Sequence, residues 1–140
     1  MNKIVTVLFL MSILVGCDGV ARSGPIRHVS LVEAKGLLAK SPQSFTILDL
    51  RTPDEFMAGH LKKAVNENYY NSGFKDELNK LDKETPYLIY CQSGTRGSKA
   101  LKIMEKMGFK KVFHLYGGYQ AWTAKSLPIV KSLVKEEKVS

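Results

Sequence analysis

Between residues 45 and 122 the chain repeatedly exchanges a short apolar run for a helical pattern, and few architectures accommodate that alternation. Phe45-Thr46-Ile47-Leu48, ending at Asp49, is rich in β-branched and aromatic residues and too short for a helix. Tyr87-Leu88-Ile89-Tyr90 and Val112-Phe113-His114-Leu115 have the same character, and Ala64-Val65-Asn66 is a shorter candidate strand. Helix signals lie around these runs. Ser30-Leu31-Val32-Glu33 is a capping box opening a helical pattern to about Lys40. Thr52-Pro53-Asp54-Glu55 supplies an N-cap, a proline at the first helical position and a glutamate at the third. Ser72 is a candidate cap for a helix over 73–81. Ala100, Ile103, Met104 and Met107 share one helical face, Lys99, Lys102 and Lys106 take the other, and Gly108 ends the pattern. Gly117-Gly118 leads into a last helix carrying Trp122. Strands alternating with helices argue an α/β domain with a largely parallel sheet over residues 26–129.

Composition narrows the class further. A chain of 140 residues, 44% hydrophobic and 24% charged, suits one globular domain and is too apolar for disorder. Its two cysteines, Cys17 and Cys91, exclude a disulfide-rich scaffold and a four-thiolate zinc site. His28, His60 and His114 lie in separate segments without ligand spacing, so neither a metal nor a cofactor is implied. The net charge of +8 reads as a solvated face suited to lie near anionic lipid.

The N-terminus reads as an address. A short positive start at Met1 to Lys3 precedes the apolar run Ile4 to Val15. As a helix that run spans roughly 18 Å, against about 30 Å of bilayer hydrocarbon, which fits a secretory signal better than a membrane span. Leu14-Val15-Gly16-Cys17 follows and resembles the lipobox of bacterial lipoproteins, in which cleavage before the cysteine accompanies lipidation of its thiol. The alternative is an ordinary secretory signal or uncleaved anchor with an incidental cysteine. The lipobox resemblance implies a signal peptide at 1–16, lipid on Cys17, a tether over 17–25 and a charged tail over 130–140. The expected location is the cell envelope, on the periplasmic side, anchored to a membrane; Asp18 resembles an inner-membrane retention signal. Removing residues 1–16 takes away one lysine and lowers the net charge to +7. With Cys17 lipidated, Cys91 is the one remaining thiol in an oxidising compartment, kept either buried and inert or for its reactivity. Nucleic acid is not an expected partner there.

Candidate chemistry gathers at one strand-to-helix turn, Cys91-Gln92-Ser93-Gly94-Thr95-Arg96-Gly97. A thiol there faces the first unpaired amides of a helix and the positive end of its dipole, which favour a thiolate. Arg96 adds a positive charge, and Gly94 and Gly97 let successive amides curl around an anion.

These residues sit in a longer ordered set. Leu48-Asp49-Leu50-Arg51-Thr52-Pro53-Asp54-Glu55-Phe56, Gly59-His60, Ala64-Val65-Asn66, Tyr90 through Arg96, Leu115 through Trp122 and Leu127-Pro128-Ile129 together resemble the single-domain rhodanese family. The resemblance spans nearly all of residues 28–129, with one departure: Lys62-Lys63 replaces a usual Pro-Gly. It implies a five-stranded parallel sheet flanked by helices and a sulfurtransferase that carries sulfur as a Cys91 persulfide. Cys91 would be catalytic, with Gln92, Ser93, Gly94, Thr95, Arg96 and Arg51 binding substrate. A small sulfane-sulfur donor and a thiol, cyanide or protein acceptor are the expected partners. Because Gln92, Ser93 and Thr95 are neutral, thiosulfate is expected to be a poorer donor than persulfides or polysulfides.

Two other readings stay open, a non-catalytic rhodanese-like interaction module and a phosphatase. The related phosphatases have a cysteine loop one residue longer, and a second cysteine for thiol-disulfide exchange is absent near Cys91. Of the remaining residues, Asp49 reads as a buried anchor, with Arg51 either at the cleft mouth or in a salt bridge. His60 reads as a turn-packing residue, and Gly117, Gly118 and Trp122 as turn and packing residues.

Overall fold

A computed structural model describes residues 25–41 and 43–132. The expected signal peptide, Cys17, nearly all of the expected tether and the last eight residues lie outside these. The strands are β1 (Ile26–Val29), β2 (Thr46–Asp49), β3 (Ala64–Asn66), β4 (Tyr87–Tyr90) and β5 (Val112–Leu115). The helices are α1 (Leu31–Lys40), α2 (Pro53–Ala58), α3 (Phe74–Lys80), α4 (Thr95–Lys106) and α5 (Gly118–Ala124). The sheet is fully parallel, in the order β1-β5-β4-β2-β3.

Alternation along the central strands sorts their side chains to two faces. Leu48, Ile89 and Val112 pack with Phe74 and Leu78 of α3 and with Ala100, Leu101 and Met104 of α4. Ile47, Leu88 and Phe113 pack on the opposite face with Ala34 of α1 and Trp122 of α5. β4 and β5 are buried at every position, which is why their sequences show continuous apolar runs.

Both capping boxes form: Ser30 with Glu33, and Thr52 with Glu55. Ser72 does not cap α3; Gly73 holds the N-cap position without a side-chain hydrogen bond. The residue pattern also left β1 unread, since two of its four residues are exposed and its strand character comes from pairing with β5. At the other end the domain runs past the boundary drawn after Ile129. Val130 and His60 exchange backbone hydrogen bonds of 2.8 Å, and the Ser132 amide donates to Met57 at 3.2 Å.

The Lys62-Lys63 departure has a conformational consequence. Lys63 adopts φ 65°, a left-handed conformation that costs a side-chain-bearing residue about 1 kcal/mol. Lys63→Gly is expected to raise unfolding free energy by up to about 1 kcal/mol, the gain being trimmed by the greater freedom of glycine in the unfolded chain. Urea denaturation checks this, and a loss of stability would mean that the strain at Lys63 is smaller than the entropy cost of glycine.

Candidate active site

The site is built on the backbone between β4 and α4. Cys91 is 1% exposed, and its Sγ accepts hydrogen bonds from the amides of Gly94 at 3.1 Å and Gly97 at 3.4 Å. Gly94 is the N-cap of α4 and has φ 110°, which turns its amide inward where a Cβ-bearing residue would be strained. The sulfur therefore rests against donors at the positive end of a twelve-residue helix.

A second element holds the outside of this loop. The amides of Tyr119 and Gln120 in α5 donate to the carbonyls of Cys91 at 2.8 Å and Gln92 at 3.0 Å. With those carbonyls engaged outward, the following amides are free to face the sulfur. Gly118 makes the approach possible, because a Cβ there would collide with the Cys91 carbonyl oxygen. The Gly117-Gly118 pair thus does more than turn the chain: it seats α5 on the cysteine loop.

Arg51 is not at the cleft mouth. It is 2% exposed, with Nε and Nη2 donating to the Asp49 carboxylate at 2.6–3.1 Å. Nη2 also reaches the Gly59 carbonyl at 2.6 Å, and Nη1 reaches Gln92 Oε1 at 3.4 Å. Its guanidinium lies 3.9 Å from the centre of the Tyr119 ring. Tyr90 donates its hydroxyl proton to Asp49 and accepts from the Leu61 amide at 3.1 Å. Burial beside the Asp49 carboxylate pushes the Tyr90 hydroxyl well above its ordinary range. Arg51 thus braces Gln92 and α5 from beneath, and Asp49 is the buried anchor expected of it.

Arg96 is close to the site but its charge is not free. Its Nη1 and Nη2 donate to the two carboxylate oxygens of Glu55, both at 2.9 Å. Glu55 simultaneously accepts from the Thr52 amide and hydroxyl at 2.8 and 3.0 Å. The Arg96 bond, then the Thr52 bonds, hold the Glu55 carboxyl down to about 2. On the outer side the Arg96 guanidinium lies 5.4 Å from the ring of Tyr70, which is 67% exposed. Ser93 and Thr95 are exposed, while Gln92 is half-buried.

Two of the three histidines, distant in sequence, are brought together. His28 and His114 are register partners of β1 and β5, and their Nδ1 atoms lie 2.7 Å apart. His114 is fully buried with its ring against Gly97, where a Cβ would collide with the imidazole. Its Nε2 has no hydrogen-bond partner. His60 stacks on Phe56 and its Nδ1 is 2.9 Å from the Phe56 carbonyl, as a turn-packing residue should.

Glu55, Tyr70, His114 and the α5 amides are the site residues that sequence reasoning did not find. Glu55 gave a signal, but the capping box accounted for it. For His114 and Tyr70 no local signal exists, since strand register and loop placement bring them in.

This geometry, a thiol cradled by helix amides at the carboxyl end of a parallel strand, defines a cysteine-loop α/β domain. The model for the Rhodanese-like domain matches residues 30–125, and the chain belongs to that family. It is 37% identical over 113 residues to thiosulfate sulfurtransferase 18 of Arabidopsis thaliana, covering 72% of this chain and 81% of that one. It is 30% identical over 98 residues to thiosulfate sulfurtransferase GlpE of Coxiella burnetii, covering 70% and 88%. A 73-residue stretch is 42% identical to the tRNA uridine(34) hydroxylase of Pelagibacter ubique, covering 51% of this chain but only 24% of that protein. Among solved structures, a rhodanese-like domain protein from Staphylococcus aureus aligns with TM-score 0.61 at 28% identity, covering 69% and 90%. A rhodanese-like domain from Anabaena reaches TM-score 0.66 at 24% identity, covering 81% and 84%.

The buried imidazole makes a pH prediction. Burial, then the neighbouring His28, hold His114 down to about 4 from an ordinary 6.5. On acidification the unfolded chain binds this proton first, so the contribution is intact above about pH 6.5 and is lost as pH falls toward 4. His114→Asn should lose about 2 kcal/mol less stability than the parent between pH 7 and 5, measured by urea unfolding. Equal losses in the two proteins would show that His114 is not the acid-sensitive group.

Proposed function

We propose that this protein is a sulfurtransferase that moves a sulfane sulfur from a small donor to a thiophilic acceptor through a persulfide on Cys91. The observation that carries the reading is the pair of amide hydrogen bonds to Sγ from Gly94 and Gly97 at the start of α4. Those donors stabilise negative charge on sulfur without needing to move during the reaction, as preorganised dipoles do. The relatives named thiosulfate sulfurtransferase support the same class of chemistry.

In the first step the Cys91 thiolate attacks the outer sulfur of the donor. A new sulfur–sulfur bond forms, the donor's own is broken, and its electron pair leaves with the remainder of the donor. In the second step a cyanide ion, a small thiol or a protein thiol attacks the outer sulfur of the persulfide and regenerates the Cys91 thiolate. Such a nucleophile requires no adjacent base, so the absence of a Cys–His contact is no obstacle. Gln92, Ser93, Gly94 and Thr95 form the wall around the transferred sulfur, and Arg96 with Glu55 forms its outer edge.

Incubation with thiosulfate, glutathione persulfide or polysulfide, followed by intact-mass measurement, should show one sulfur added to the parent protein and none to Cys91→Ser. Turnover should fall at least a thousandfold in that variant while the unfolding midpoint stays close to the parent's. Failure of the parent to gain sulfur from any donor would instead favour an interaction module. We also propose membrane anchoring through lipid on Cys17, on the periplasmic side of the envelope, with the domain held by the tether. Cys17→Ala should move the protein from the membrane pellet to the soluble fraction, and an unchanged distribution would count against lipidation.

A further inference from the structure

The charges around Cys91 carry information about the donor, on the premise that the protein is the sulfurtransferase proposed above. Two guanidinium groups contact the loop or its wall. Arg51 is buried in a bidentate pair with Asp49, and Arg96 is in a bidentate pair with Glu55. Each cation is matched by one carboxylate, so the net charge that these four groups present to the sulfur is zero. The amides of Gly94 and Gly97 then remain as the stabilising donors on Sγ.

Donors differ in how much charge they bring. In thiosulfate the outer sulfur is bonded to a sulfite group, the ion carries two negative charges, and sulfite leaves with both. In an organic persulfide anion the reacting sulfur pair carries one charge, and a thiolate leaves with one. A thiolate site without surplus positive charge repels the first more strongly than the second. The exposed ring of Tyr70, against the outer side of Arg96, also offers an organic group an apolar surface that an inorganic ion cannot use.

We infer that Glu55 sets the donor class: by cancelling the charge of Arg96, it makes the site selective for a singly charged organic persulfide over inorganic thiosulfate. Glu55 is positioned for this by α2, whose capping box holds it against Thr52 while its carboxylate spans the gap to α4. It does not touch the reacting sulfur. Its influence passes through Arg96, so it is a specificity-determining positioning residue.

The test compares kcat/KM for thiosulfate and for cysteine persulfide in the full-length protein, with sulfur on Cys91 followed by intact mass. The parent should favour cysteine persulfide. Glu55→Gln keeps the side-chain length and an acceptor for Thr52 but releases the Arg96 charge, and should raise the thiosulfate-to-persulfide ratio about tenfold. Thr95→Lys adds a cation at the exposed rim without touching the Glu55–Arg96 pair, and should shift the ratio in the same direction. If Glu55→Gln does not fold, Glu55→Ala, which also releases the Arg96 charge, takes its place in the comparison. A parent that prefers thiosulfate, or a ratio that neither variant changes while Cys91 still takes up sulfur, overturns the inference. Absence of sulfur on Cys91 with every donor overturns the sulfurtransferase reading itself, and the donor assignment falls with it.

Discussion

The backbone of the Cys91 loop can present amides to a sulfur atom only if its carbonyls point elsewhere and find partners there. Buried carbonyls at the end of the strand would otherwise be left without partners, at a cost of about 1–3 kcal/mol each. Here the α5 amides of Tyr119 and Gln120 take the carbonyls of Cys91 and Gln92, and the loop amides of Gly94 and Gly97 turn to Sγ. Everything else in the site depends on that division. The side chain of Gly118 has to be absent for α5 to come close enough, and α5 is held in its own place by Trp122 in the core.

A second layer keeps this arrangement rigid. Asp49 at the end of β2 binds Arg51 and the Tyr90 hydroxyl, and Arg51 extends to Gly59 and Gln92. Two adjacent strands and two loops are joined through one buried carboxylate. A buried ion pair is a weak source of net stability, but removing one partner leaves an uncompensated charge, which typically costs about 3–5 kcal/mol. The residues that brace the loop are therefore buried and neutral as a set. Arg96, the other cation at the site among the described residues, is neutralised as well, and the sulfur meets dipoles where a more cationic loop would offer it charge.

Much of this architecture was legible in local patterns because the causes are local. Capping boxes need residues three apart, so α1 and α2 could be read from Ser30–Glu33 and Thr52–Glu55. Continuous burial on both faces made β4 and β5 apolar runs, and the lysine-faced pattern of residues 99–107 marked α4. Where the cause is remote the reading failed. β1 has two exposed residues among four and becomes a strand by pairing with β5. Ser72 offered a cap, but α3 begins after Gly73 and leaves its hydroxyl unused. Val130 and Ser132 look like the start of a charged tail, yet they bond back to His60 and Met57.

The sequence by itself determined the strand–loop–helix unit, the place of Cys91 at its turn and the family to which the chain belongs, because each rests on residue types at short, ordered spacing. Tertiary structure alone decided the electrostatics. Arg51 and Arg96 are both cations in the sequence, and either could have faced the substrate. Chain topology places Asp49 beside one and Glu55, forty-one residues away, against the other, so each guanidinium is matched within the domain itself. It also sets His28 against His114 through a parallel register that no local pattern encodes. Charge acts through space and falls off with distance, so its effect on the thiol is fixed only when the strands are in order.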